Sequence, residues 1–317
     1  VGVRDKDHRL QGLSSLPLYC VFKGTTIPVF LVSGRIKTFL MKKILLPVDG
    51  SQLGDFAYQM AKKIAEKTKA SITVLSIVPA PADAFFDADG RIKDDEGEDL
   101  SSFIKAKESL EIQIQNWVAD KPFIHDAIVK IGRVNKDIVH LANTGGFDMV
   151  VMGTSGAHGL DEWLRNSHTA KVVRDSIVPV LSLKCDRSEL KIKDILLVGD
   201  FEGDENLELQ AVKKICKAFD AKIHLLKINT ARHFQSQRQI MPKMEAFAQR
   251  HDLSNFEIHI YNDESVEKGI MHFSEDSGID FVVMGHHQQK GLSRLFRHDI
   301  SEDVVNHLWQ PIMTFPA

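Results

Sequence analysis

From Lys42 onward the apolar residues alternate between two rhythms, a short β-branched run and a longer stretch with the spacing of one helical face. Lys42 to Val48 is the first run and stops at the turn signal Asp49-Gly50-Ser51. Leu53, Phe56, Ala57, Met60, Ala61, Ile64 and Ala65 then mark a helix, with Ser51 or a nearby polar group available as its cap. A strand is expected over Ile72 to Val78, closed by Pro79-Ala80-Pro81. The acidic, glycine-containing stretch Asp87 to Asp99 reads as a solvated excursion. Beyond it the pattern predicts a helix from Leu100 to Asp120, a strand from Asp126 to Ile131, a helix from Asn135 to Asn143 and a strand from Phe147 to Met152. After a glycine-containing loop come a helix from Ser167 to Asp175 and a strand from Pro179 to Leu183. Such alternation predicts a parallel sheet with crossover helices on both faces and a ligand site at the carboxyl ends of the strands.

The second half repeats the first. Ile195-Leu196-Leu197 and Asp200 match Ile44-Leu45-Leu46 and Asp49 at an offset of 151, which also aligns Lys213-Lys214-Ile215 with Lys62-Lys63-Ile64 and Ile228 with Ile77. Farther on, Phe281 to Gly285 matches Met149 to Gly153 at an offset of 132, and Pro311 falls on Pro179. The offsets differ by 19 residues, lost mostly where the first copy has its acidic stretch and long second helix. Two domains are therefore expected, 41–186 and 190–317. Their last strands, Pro179 to Leu183 and Pro311 to Phe315, are apolar edges that can pair with each other or support a homodimer.

Composition changes this picture little. The 317 residues are 43% hydrophobic and 26% charged, with a formal net charge of -3. That balance gives no electrostatic footprint for nucleic acid or an anionic membrane, and no apolar run is long enough for a membrane helix. Three cysteines, Cys20, Cys185 and Cys216, form no paired motif, so a cytoplasmic location with reduced thiols is expected. Residues 1–40 lack the rhythm of the remainder, and Met41 is followed at once by a clean strand. Met41 is accordingly expected to be the natural start, with 1–40 an upstream extension outside the fold.

Candidate chemistry gathers around Gly153-Thr154-Ser155-Gly156 and the helix opening at Asn166-Ser167. Glycines after a buried strand let the backbone approach an anion, and a helix start offers unpaired N–H groups and partial positive charge. Asp49, ending the neighbouring strand, is an acceptor suited to ribose hydroxyls or an adenine amino group. Asp49 and Asp200 can equally cap the helices that follow them. Neither G-x-x-x-x-G-K-[ST] nor G-x-G-x-x-G is present. His286-His287 and His298 read as surface histidines, so no metal site is expected. No catalytic constellation is legible, and any ATP hydrolysis is expected to be slow.

The spacing Gly153-x2-Gly156-x9-Asn166-Ser167, with an aspartate after the first strand, resembles the universal stress protein family, and the two copies resemble its tandem-type members over Met41 to Ala317. The resemblance implies doubly wound, Rossmann-like five-stranded sheets of order 3-2-1-4-5, like those of the adenine nucleotide alpha hydrolases. It further implies ATP or another adenine nucleotide, with Mg²⁺ as an optional companion ion. Adenosine would lie near Pro47, Val48 and Asp49, adenine against the backbone near Ile77 and Val78, and Met152 beneath the base. Gly153, Gly156, Asn166, Ser167, His168 and Thr169 would surround the phosphates. Asn166 stands where the family pattern has a third glycine, and asparagine both tolerates a left-handed backbone and caps helices.

The second copy departs further, with Gln288 for the second glycine and His298-Asp299 where the pattern has Gly-Ser, so it is expected to be a degenerate site. The leading expectation is a stress-response sensor or regulator that binds adenine nucleotide in its first domain and acts on an unidentified protein partner. The rivals are a nucleotide-free scaffold or chaperone-like module and a slow adenine-nucleotide hydrolase.

Overall fold

The computed structural model describes residues 41–80, 100–154, 168–201, 209–286 and 308–316, together with the backbone of four short strands in residues 1–40. The chain divides into two compact units, Val1–Leu40 and Met41–Ala317. In the first, Leu18–Phe22 pairs antiparallel with Thr25–Val29, and Leu31–Val32 with Arg35–Ile36.

Within Met41–Ala317 the first copy supplies β1 (Lys43–Pro47), α1 (Gln52–Thr68), β2 (Ser71–Pro79), α2 (Leu100–Val118), β3 (Ile124–Gly132), α3 (Val134–Thr144), β4 (Met149–Gly153), α4 (His168–Asp175) and β5 (Val180–Leu183). The second supplies β6 (Asp194–Val198), α5 (Gln210–Phe219), β7 (Lys222–Asn229), α6 (Gln237–Arg250), β8 (Phe256–Asn262), α7 (Val266–Asp276), β9 (Phe281–His286) and β10 (Ile312–Pro316). Both copies have the order 3-2-1-4-5, and β5 pairs antiparallel with β10. The two expected sheets are thus one continuous ten-stranded sheet with its halves related by an approximate two-fold axis. Every pairing within a half is parallel.

The strands at the seam are buried on both faces, as the β-branched run predicts for an all-covered parallel sheet. Ser182 Oγ donates to Ile312 O at 3.2 Å, and Thr314 Oγ1 donates to Val180 O at 3.3 Å, so the polar side chains of the seam are satisfied across it. One apolar cluster runs through it from Met60 and Ile64 to Val212, Ile215 and Met313.

The repeat holds at the level of single atoms. Asp148 accepts from the N–H groups of Lys42 and Lys43 at 2.6 and 3.0 Å, and Asp280 accepts from those of Lys193 and Asp194 at 2.8 and 3.1 Å. In each copy an aspartate just before the fourth strand ties down the start of the first. Asp148 also binds Lys214 Nζ of the second copy at 2.9 Å.

Ser51 is the residue before α1, but its hydroxyl makes no capping bond. Asp49 Oδ1 instead accepts from Ser51 N at 3.0 Å, a turn that sets the chain direction into the helix.

Candidate functional site

A cleft of about 820 Å³ opens where β1, β2 and β4 end, with α2 as its outer wall. Pro47, Val48 and Asp49 form one side, Ile77 and Val78 another, and Met152, Gly153, Thr154 and Thr169 the third. Ala106, Ser109, Leu110 and Gln113 close it from α2, at the i, i+3, i+4, i+7 spacing that puts them on one helical face. That helix is anchored by Trp117, whose Nε1–H donates to Asp55 Oδ1 at 2.8 Å and whose ring stands edge-on to Tyr58.

The walls are mostly apolar, with a few polar groups at defined places, the usual make-up of a small-molecule site. The most informative lie on β2. Ser71 N donates to Lys42 O and Ile72 N to Phe123 O, so odd residues of β2 turn their peptide groups toward β1 and even residues toward β3. Leu75 makes the last such contact, its carbonyl accepting from Val48 N at 2.9 Å. The pairing of β1 with β2 ends at Pro47 opposite Leu75, so the Ile77 N–H and C=O face space that β1 has vacated. Val78 turns its peptide to β3 and borders the cleft otherwise. Sequence periodicity marks both residues alike; only the register separates them.

Thr154 is 3% exposed, and its Oγ1 has no hydrogen-bond partner among the described residues. A hydroxyl buried without a partner is costly, of order 1–3 kcal/mol, so one at the edge of a cleft is a group awaiting a ligand, a water or the neighbouring loop. Asp49 spends one carboxylate oxygen on the Ser51 N–H; the other has no hydrogen-bond partner among the described residues. Ser76 Oγ donates to Val48 O at 2.9 Å and is already satisfied.

Gly153 has a reason to be glycine that the sequence does not show. A Cβ there would lie 2.4 Å from Leu53 O, so the residue is needed for β4 to pass under the first turn of α1. Gly156, Asn166 and Ser167 lie outside the described residues, as do the acidic stretch and Gln288, His298 and Asp299. His168 is the first residue of α4, and Thr169 is buried at the cleft wall. Thus Pro47, Val48, Asp49, Ile77, Val78, Met152, Gly153 and Thr169 of the expected set meet around one space.

The family model for the universal stress proteins matches residues 41–184 and again 191–316. The chain belongs to the universal stress protein family. Universal stress protein MJ0531 of Methanocaldococcus jannaschii is 27% identical over 156 residues, 47% of this chain and 86% of that protein. Universal stress protein MJ0577 of the same organism is 25% identical over 155 residues, 46% of this chain and 96% of that protein. Each of these relatives therefore corresponds to about half of the present chain. A universal stress protein from Archaeoglobus fulgidus shares the fold over both halves, with a TM-score of 0.66 at 17% identity, covering 88% of this chain and 97% of that one. Among the described residues no helix is long and apolar enough to cross a membrane.

The described residues at the equivalent strand ends of the second universal stress domain are arranged differently. Phe201, at the repeat position of Gly50, is buried and stands edge-on to Phe247 of α6 with ring centroids 5.0 Å apart. Gly50 and Phe201 share a left-handed backbone, φ 79° and 57°. Gly269 brings α7 against Ile228, the counterpart of Ile77, so closely that a Cβ would lie 2.7 Å from Ile228 Cγ2. Asn229, the counterpart of Val78, bonds to Gln235 and Asn262 and closes the end of β7.

Proposed function

We propose that the first domain, residues 41–186, binds an adenine nucleotide, ATP foremost, and that the second, residues 190–317, does not. The protein would serve as a cytoplasmic sensor or regulator in a stress response, passing the state of the first domain to a protein partner. Residues 1–40 stand outside this reading as an upstream extension.

The observation that carries it is the register of β2, which turns the Ile77 peptide toward the space beyond the end of β1 among the described residues. A C=O and an N–H side by side on an open strand edge match the amino donor and ring-nitrogen acceptor on the edge of adenine, and Met152 and Val48 offer apolar faces to a flat ring. Asp49, with one oxygen uncommitted among the described residues, is suited to the ribose hydroxyls. Thr154 Oγ1, buried and without a hydrogen-bond partner among the described residues, lies at the start of the glycine loop where phosphates would arrive. These groups fit a nucleotide; Mg²⁺ enters only as the ion that accompanies a triphosphate.

Asp49 is the one titratable group lining the cleft among the described residues, and the role proposed for the site is to retain the ligand. The test is to denature the purified protein and identify what it releases by chromatography. Adenine nucleotide in amounts approaching that of the chain is the expected result. Absence of adenine nucleotide, together with no heat of ATP binding, would overturn the reading in favour of a scaffold. Rapid multiple-turnover hydrolysis abolished by Ser167→Ala would overturn it in favour of an enzyme.

A further inference from the structure

The amino ends of β6, β7 and β8, at the opposite end of the second domain's strands from Phe201, bring together His224, Glu257 and His259. His224 is on β7, opposite Glu257 in register, and His259 follows Glu257 by two residues on the same face of β8. His224 Nδ1 lies 2.9 Å from His259 Nε2, and Glu257 Oε2 lies 3.7 Å from each of them. A triangle with these sides has a centre about 2.0 Å from every corner, the distance at which zinc binds imidazole nitrogen and carboxylate oxygen.

From this geometry we infer that the second domain carries a site for a divalent metal ion of the zinc class, with His224 Nδ1, His259 Nε2 and Glu257 Oε2 as ligands. Two imidazoles and one carboxylate form a set suited to such ions rather than to calcium or magnesium, which take oxygen ligands.

Each ligand is held by a further contact. Asp194 Oδ1 accepts from His224 Nε2 at 2.8 Å, which fixes the proton on that nitrogen and leaves Nδ1 as the lone-pair donor. Lys222 Nζ binds the other oxygen of Glu257, leaving Oε2 for the ion. The His259 ring packs on Phe273 of α7 with centroids 4.9 Å apart. Without an ion, His259 Nε2–H donates to His224 Nδ1; with one, the His259 proton moves to Nδ1 and the metal replaces the hydrogen bond, so no net proton need be released. The two nitrogens would separate by a few tenths of an ångström to reach tetrahedral spacing. The cluster is open on one side, the side chain of Glu257 being half exposed, so a water or a group from another molecule can complete the shell.

The first domain serves as an internal control. Its register places Thr73, Asp126 and Ile128 at the positions of His224, Glu257 and His259, and Lys43 at that of Asp194, so it offers a single carboxylate and no imidazole. The ion would therefore mark the second domain as the chemically distinct partner of a nucleotide-binding first domain.

The test uses the full chain, stripped with a chelator and titrated with Zn²⁺ against a chromophoric indicator, then with Co²⁺ read by visible absorption. The proposal predicts a strong site with tetrahedral Co²⁺ bands, lost in His259→Gln, with affinity lowered about 10–100-fold in Asp194→Asn. Glu257→Gln, on a half-exposed side chain, is expected to weaken binding while leaving the circular dichroism unchanged. A wild-type chain that binds no Zn²⁺ tightly would overturn the assignment. So would Zn²⁺ affinity and Co²⁺ bands that survive in both folded His259→Gln and folded Glu257→Gln, since other histidines would then hold the ion.

Discussion

The two domains solve the same backbone problem at the end of their first strand and then diverge. In both the chain turns through a left-handed residue after the strand, but Gly50 leaves the turn bare whereas Phe201 folds its ring onto Phe247. A non-glycine residue in that conformation costs roughly 1–2 kcal/mol, which a buried aromatic ring more than offsets. The first copy thus keeps an open strand end, and the second has converted the same strand end into core. Among the described residues, that end of the second copy is occupied by the Phe201 ring, a glycine-seated helix and an Asn229 clamp.

The sharpest way to break this comparison is Phe201→Gly. Removing the ring should cost about 3–5 kcal/mol, partly returned by relief of the left-handed strain, for a net loss near 2–3 kcal/mol in urea unfolding. Unchanged stability would mean that the ring is not holding the second domain together. Next comes Gly153→Ala, whose methyl must displace the first turn of α1. Its expected cost is about 1–3 kcal/mol, accompanied by weaker ATP binding, because the same shift moves the wall of the cleft.

A third substitution, Gly50→Phe, transplants the second domain's solution into the first. It should cost about 1–2 kcal/mol and lower ATP affinity at least about tenfold in calorimetry. Full affinity in that variant would show that the ring is not what separates an open site from a closed one.

The smallest effect concerns the aspartates that the copies share. Burial acts to raise the Asp148 pKa, yet the bonds from Lys42 N–H, the Lys214 ammonium and Lys43 N–H outweigh it and the net shift is downward. Its stabilising contribution is present above the ordinary carboxylate range and is lost as pH falls through the lowered value. Asp148→Asn should therefore unfold more easily than the parent at neutral pH, with the gap closing in acid. A constant gap across pH would place the stabilisation in shape rather than charge.

Much of the fold is legible in the sequence because parallel strands covered on both sides are continuous apolar runs, and helices such as α1 and α3 carry their stripe without interruption. The expected elements fall within a few residues of the observed ones, and the offset of 151 maps β1 and β2 onto β6 and β7. The cleft was legible as a set of strand ends. The sequence could not separate Ile77 from Val78, which depends on which neighbour each peptide faces, nor show that Gly153 is glycine because of Leu53. The packing of Phe201 was equally hidden, since a phenylalanine after Gly199-Asp200 looks like any other apolar residue. His224 and His259 are 35 residues apart and meet only through the register of β7 and β8.

The central claim is that one chain holds one working nucleotide site. Calorimetric titration of nucleotide-free protein with ATP tests it most directly: a single site per chain is predicted, lost in Gly50→Phe and unaffected by changes at Phe201 that leave the protein folded. Two sites per chain, or none, would contradict it.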